Sequence, residues 1–218
     1  MDLSEALYTT RAMRRVSPDP LPDEVAAAML DAAIRAPSGG NTQNWRFLVL
    51  TDPGVRAALA PIYQAAFARL QETVYRGRRE AAEAAGDEQA LRVMRSSKWL
   101  ADNAGDVPMW FLAFSRNDPS GASIYPAVWS AMLAARAHGI GTCLTTILGI
   151  FESAAVFELL GVPGDKGWQL SAAVSCGRPL GKWDVAERAP AEEVAFSDRW
   201  GTPLAFPVDG PLWSTESR

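Results

Sequence analysis

Apolar positions along this chain follow two rhythms. Val25, Met29, Ala33 and Ile34 recur at helical spacing, and the tripeptide Pro22-Asp23-Glu24 opens that helix, with proline suited to the first turn and the acids complementing the dipole. The helix runs to about Ala36, where Pro37 stops it. Three continuous apolar runs, residues 45–50 (WRFLVL), 107–114 (VPMWFLAF) and 168–175 (WQLSAAVS), predict buried strands, and a further strand follows Gly141. Residues 127–138 (AVWSAMLAARAH) are apolar nearly all round, which predicts a central helix buried in a core or a subunit interface.

Residues 55–102 are rich in alanine and charge at helical spacing, with interruptions expected at Pro61 and near Gly86-Asp87. Short helices are expected from Asp2 to about Tyr8 and over residues 152–160, the second closed by Gly161. Beyond Gly177 the chain is rich in proline and charge and reads as an extended arm that must dock to be ordered. Long helices with interspersed strands predict an α+β fold. We expect one domain over residues 1–218, with a helical excursion at about 60–102 and a docking arm at about 178–218.

Composition narrows the function classes. The chain has 218 residues, 48% hydrophobic and 21% charged, enough for one real core. A net charge of −4 and a pI near 5.1 argue against nucleic acid or an anionic membrane as the main partner. Arginine carries most of the positive charge, since lysine occurs only at Lys98, Lys166 and Lys182. Cys143 and Cys176 sit in apolar runs without CxxC spacing and read as buried structural thiols. His138 is the single histidine, so a multi-histidine metal site is excluded; it reads as a structural residue at a helix C-terminus. No apolar signal core is evident and no apolar run approaches the ~20 residues of a membrane span, so a cytoplasmic location is expected.

Candidate chemistry lies in four segments. Residues 36–45 (APSGGNTQNW) form a polar loop in which Ser38, Asn41, Gln43 and Asn44 can donate and accept hydrogen bonds, while Gly39 and Gly40 allow close approach of a ligand. Arg11 and Arg14 are three apart; on a helical turn they would share one face and could grip a phosphate from two sides. Gly139-Ile140-Gly141 begins like a dinucleotide-binding fingerprint but lacks the third glycine and follows a helix, so that reading fails. The following Thr145-Thr146-Ile147-Leu148 reads either as an ordinary strand or as hydroxyls and backbone N–H groups facing a heteroaromatic ring. Arg188, in the arm, is indistinguishable from any exposed arginine on local grounds. The Arg76-Gly77-Arg78-Arg79 patch invites a phosphate-binding reading, but neighbouring glutamates favour a solvated helix face. No GxxxxGK[ST], HExxH or GxSxG occurs, which removes support for ATP hydrolysis, zinc proteolysis and α/β-hydrolase chemistry.

Taken together, Thr10 to Arg14, Ala36 to Trp45, Gly139 to Leu148 and Arg188 to Pro190 resemble, in order, the four motifs of the FMN-dependent nitroreductase family, which includes the iodotyrosine dehalogenases. The resemblance implies a central mixed or antiparallel sheet flanked by helices, in an intertwined homodimer holding FMN at its interface, with NADPH or NADH as electron donor. It implies that Arg11, Ala12, Arg14 and Arg188 hold the FMN phosphate end, and that Pro37, Ser38, Gly39 and Asn41 hold the ribityl chain or phosphate. It also implies that Thr145, Thr146 and the Ile147 backbone approach the ring near N5. No protein acid, base or metal is expected, because the flavin carries the chemistry. The acceptor is expected to be a small flat aromatic in a pocket lined by Tyr63, Phe67, Tyr75 and Trp99, although these residues could equally be helix core. Four positions depart from the family pattern: Thr10 stands for arginine, Ala12 for serine, Asn44 for proline, and Leu144, beside Cys143, for a bulky aromatic. A flavin-sequestering protein without turnover and a biosynthetic FMN oxidase or dehydrogenase remain as alternatives. Dehalogenation is disfavoured because Glu80, Tyr75 and Lys98 do not reproduce the charged substrate grip.

Overall fold

The four apolar runs assemble into one sheet. Strands β1 (Trp45–Leu50), β2 (Met109–Ser115), β3 (Gly141–Thr145) and β4 (Gln169–Gly177) lie in the order β1-β2-β4-β3, and every pairing is antiparallel. This is a computed structural model that describes residues 1–186, 188–208 and 210–213. The helices are α1 (Leu3–Thr9), α2 (Asp23–Ile34), α3 (Pro53–Thr73), α4 (Arg78–Ala85), α5 (Glu88–Asp102), α6 (Ile124–Ala137), α7 (Ile147–Phe151), α8 (Ser153–Leu160) and α9 (Ala191–Val194). The chain divides into two compact units: Arg11–Lys182, and Met1–Thr10 together with the chain from Trp183 onward.

In the larger unit the period-2 alternation of β2 places its side chains in two separate cores. Trp110, Leu112 and Phe114 pack with Leu59 and Tyr63 of α3, Leu100 of α5 and Leu148 of α7. Met109, Phe111 and Ala113 pack on the other face with Met29 and Ala33 of α2 and with Ala127, Val128 and Ala131 of α6. All seven residues of β2 are therefore buried, which is why its sequence is a continuous apolar run rather than an alternating one.

Several boundaries differ from the sequence expectation. Helix α3 runs unbroken through Pro61. Proline there removes one i→i−4 hydrogen bond, but burial of Leu59, Tyr63 and Ala66 holds the helix against the core on both sides of it. The break at Gly86 is present: Gly86 closes α4 at φ 65°, and Asp87 caps α5 by accepting from Ala90 N at 2.9 Å. Helix α6 begins at Ile124, whose N–H donates to Asp118 Oδ2 at 2.9 Å. It is not buried all round, because Tyr125 and Trp129 are 40% and 39% exposed.

The arginine segment is extended rather than helical, so Arg11 and Arg14 do not share a helical face. Ala12 forms a parallel bridge with Thr142, and Met13 N donates to Thr142 O at 2.8 Å. Val16 bridges Pro179. Two glycines paired in register, Gly141 and Gly177, make room for this segment: a Cβ on Gly141 would lie 2.7 Å from Met13 Cβ, and one on Gly177 would lie 2.6 Å from Val16 Cβ.

In the smaller unit α1 is capped by Asp2, which accepts from Glu5 N at 2.7 Å. The arm fastens to this helix through Tyr8. Its carbonyl accepts from Ala186 N, its hydroxyl accepts from Leu212 N at 2.9 Å, and its ring lies 5.6 Å from that of Trp213. Among the described residues of the arm the helical segment is the short α9.

Candidate functional site

The chemistry-bearing residues of the larger unit meet where β3 ends. The strand stops at Thr145 and α7 starts at Ile147, so the expectation of a strand through Leu148 is corrected. One local feature and one distant in sequence accompany the change. Thr145 Oγ1 accepts from Ile147 N at 3.5 Å, and Gly149 lies so close to the Leu170 carbonyl oxygen that any Cβ would collide with it. The β-branched run alone does not reveal this, because its composition suits a strand.

Arg14, Thr145, Thr146 and Ile147 line one cleft of about 260 Å³, and Tyr63, Phe67 and Tyr75 form its opposite wall. Trp99 is not on this wall; the Arg15 guanidinium lies 5.7 Å from its ring centroid. Tyr63 doubles as core, with its ring 5.1 Å from that of Trp110. Thr146 also borders a second cavity of about 580 Å³ walled by Tyr125 and Trp168.

Arg14 dominates the electrostatics of the cleft. Its Nη1 approaches Ser96 Oγ at 3.4 Å, and its guanidinium sits beside the buried Cys143 thiol. Burial pushes the Cys143 thiol up from its ordinary value, and the guanidinium opposes that shift. Burial likewise pushes the Tyr63 phenol up, with contact from Thr145 and the charge of Arg14 pulling the other way. Both groups therefore stay neutral at physiological pH, leaving Arg14 as the charge in this corner. Among the described residues no carboxylate pairs with it, so the partly buried cation is poised to accept an anion. Cys143 and Ser96 were not expected here. Cys143 stands two residues before Thr145 and shares its strand face, which is the sequence signal that points to it.

The polar loop folds on itself away from this cleft. Residues Gly39–Asn41 form a 3-10 turn, with Gly40, Asn41 and Gln43 at φ 57°, 53° and 50°. Ser38 Oγ accepts from Gln43 N at 3.2 Å, Asn41 Oδ1 accepts from Gln43 Nε2 at 3.0 Å, and Gly39 N donates to Ser123 Oγ at 3.3 Å. Gln43 thus supports the loop. The Asn44 carbonyl accepts from Arg116 N at 3.0 Å, tying the loop to the end of β2. Pro37, Gly39 and Asn41 are exposed, and none of the loop residues lines the cleft. Their strand, β1, is the sheet edge opposite β3, three strand spacings or roughly 14 Å away.

The remaining predicted residues do not line this cleft. Ala12 is exposed and contributes backbone to the bridge with Thr142. Arg11 is exposed, with Nη2 donating to the Lys182 carbonyl at 3.4 Å. Arg188 belongs to the smaller unit, where it lines a groove of about 450 Å³ with Tyr8, Pro190 and Leu212. His138 is the C-cap of α6, and Lys98 is held by Asp102. Among the described residues no helix is long and apolar enough to cross a membrane.

Comparison with known proteins places this arrangement. The nitroreductase family's sequence model matches residues 7–178. The chain is 29% identical over 219 residues to a Thermus thermophilus protein described as NADH dehydrogenase, covering 90% of this chain and 96% of that one. It is 28% identical over 191 residues to 5,6-dimethylbenzimidazole synthase of Rhodobacter capsulatus, covering 81% and 83%. Among solved structures, the FMN-dependent nitroreductase NfnB from Mycobacterium smegmatis, in complex with NADPH, superposes with a TM-score of 0.66 at 25% identity, covering 91% of this chain and all of that one. With a family match over most of its length and the α+β architecture to go with it, the chain belongs to the nitroreductase family.

Proposed function

We propose that the protein is an FMN-dependent oxidoreductase that uses a reduced nicotinamide dinucleotide to reduce a small flat acceptor such as a nitroarene or quinone. The observation that carries this reading is the Arg14 cleft: a partly buried guanidinium, without a carboxylate partner among the described residues, beside Thr145, Thr146 and the start of α7. An anionic, ring-bearing cofactor fits that donor set. Bound FMN supplies the two-electron chemistry at N5, so no protein acid or base is required.

The chain's own residues position and shield. Arg14 offers charge-assisted hydrogen bonds to an anionic group; Arg11, which does not line the cleft, is assigned to the phosphate on sequence position alone. Thr145, Thr146 and the Ile147 backbone supply hydroxyls and an N–H toward a heteroaromatic edge. Tyr63, Phe67 and Tyr75 form an apolar wall that excludes water and suits a flat substrate. Arg188 is assigned to the phosphate on sequence position alone.

A homodimer completes the site in this reading. The cleft of about 260 Å³ is smaller than the ~300–1,000 Å³ usual for ligand pockets. The Ser38–Asn41 loop lies at the far sheet edge and is supplied by the second copy. Exposed Tyr125 and Trp129 on α6 offer apolar surface for that association. Light scattering on the purified protein should give twice the chain mass; a monomer that retains FMN would remove this part of the proposal.

The deciding experiment is anaerobic stopped-flow mixing of the FMN-loaded protein with NADH and with NADPH. Bleaching of the flavin absorption by at least one donor is expected, followed by reoxidation with a nitroarene or quinone. Flavin that stays oxidised with both donors rules out the reductase and favours a sequestering protein. Similarity to 5,6-dimethylbenzimidazole synthase favours a second reading, a biosynthetic flavin oxidase. Reduced flavin that reacts with oxygen much faster than with any quinone or nitroarene would select it.

A further inference from the structure

Three clefts on the helical excursion share lining residues. Tyr75 borders both the Arg14 cleft and a groove of about 420 Å³ between α4 and α5. Phe67 joins the Arg14 cleft to a third cavity, and Met94 joins that cavity back to the groove. The groove is walled by Ala81, Ala82, Ala85, Val93 and Met94, an apolar surface on which a flat ring can lie. Its volume falls within the range of small-molecule pockets.

The charges at its rim are unequal in availability. Arg79 is taken by Glu83 at 3.0 Å, the solvated i,i+4 pair expected of this patch. Arg78 lines the groove and has no carboxylate partner among the described residues. Asp87 also lines the groove and keeps its charge, with Oδ1 accepting from Ala90 N as the cap of α5, so the lining holds one carboxylate fixed to the helix start and one guanidinium free of an acid partner among the described residues. The surrounding excursion is basic, with eight Lys/Arg against six Asp/Glu between residues 55 and 102, in a chain of net charge −4. An acidic rim would select a ribose 2′-hydroxyl, whereas an available arginine selects a 2′-phosphate.

We propose that the α4–α5 groove is the subsite for the adenosine 2′-phosphate half of the electron donor, with Arg78 as its phosphate ligand, so that the protein prefers NADPH. This rests on the reading of the Arg14 cleft as the flavin site, with Tyr75 standing between the two halves of the dinucleotide. The apolar groove takes the adenine, and Arg78 takes the phosphate that distinguishes NADPH from NADH.

The test separates this subsite from the reductase reading. Calorimetry on purified protein incubated with FMN should show 2′,5′-ADP binding about tenfold tighter than 5′-AMP, the factor of one charge-assisted contact. Arg78→Ala should abolish that difference and lower the NADPH/NADH ratio of kcat/KM about tenfold. Arg79→Ala removes the same charge one residue further on and should keep both ratios. Equal binding of the two nucleotides by the wild-type protein overturns the proposal, as does an Arg78→Ala variant with undiminished discrimination. Equal losses in both variants also overturn it, because they would show a diffuse field rather than a subsite. If neither donor reduces the flavin, the reductase reading falls, and calorimetry alone still decides whether the groove binds a 2′-phosphate.

Discussion

Replacing Gly141 with alanine tests how the arginine segment is held. The new Cβ would lie 2.7 Å from Met13 Cβ and 3.3 Å from Pro179 Cβ. Met13 Cβ is the first atom of its side chain and cannot swing away, so the backbone must move. Overpacking of this kind costs about 1–3 kcal/mol. For a chain of this size each kcal/mol lowers Tm by about 2–4 °C. If the segment relaxes outward instead, the 2.8 Å bond from Met13 N to Thr142 O is lost, at about 1 kcal/mol. Arg14, one residue on, then leaves its place in the cleft, and FMN affinity should fall about tenfold, equivalent to ~1.4 kcal/mol. The assays are thermal melting without FMN and titration of flavin fluorescence. Gly164→Ala is the control, since nothing lies within 4 Å of its Cβ. A Gly141→Ala protein that melts with the wild type and binds FMN equally well would refute the account of the close approach.

Arg14→Ala should weaken FMN binding roughly 10–100-fold, from ~1.5–3 kcal/mol for hydrogen bonds to a charged group; an unchanged fluorescence titration would take Arg14 out of the site. Ser38→Ala removes the acceptor for Gln43 N and should cost about 0.5–1.5 kcal/mol in urea unfolding, whereas no change would mean the loop is held by its other bonds. Burial pushes the Cys143, Cys176 and Tyr63 groups up, so the folded protein keeps protons that the unfolded chain releases above the ordinary thiol value of 9.0. Stability is thus full below about pH 9 and declines above it, by up to ~1.4 kcal/mol per pH unit for each group. Urea unfolding at pH 8 and 10 checks the sign, and Cys176→Ser should flatten the slope; a slope that the variant leaves unchanged would refute the assignment.

Much of the fold is legible in local chemistry. Pro37 after a 3.6-residue apolar stripe ends α2, and Gly161 ends α8 at φ 64°. The apolar runs at Trp45, Met109 and Gln169 become strands because both faces of the sheet are covered. Pro61 misled because its local penalty is offset by core contacts far away in sequence. Thr146 and Ile147 misled because the turn into α7 depends on the Leu170 carbonyl, more than twenty residues on. Gly139-x-Gly141 lacks the third glycine and the strand of a dinucleotide-binding turn, and in the fold Gly141 serves instead to admit Met13.

The sequence by itself determined the element types, the two buried thiols and the set of polar and cationic residues from which a flavin site could be built. Those follow from periodicity, capping and side-chain chemistry, all local properties. Only the tertiary structure decided which of them meet. It set Arg14 against Thr145 because the arginine segment is extended along the β3 edge, and it put the Ser38–Asn41 loop at the opposite edge because β1 pairs with β2. It also gave Glu83 to Arg79 and, among the described residues, no acid to Arg78. Strand order and packing are set by contacts between distant residues, and no local pattern encodes them.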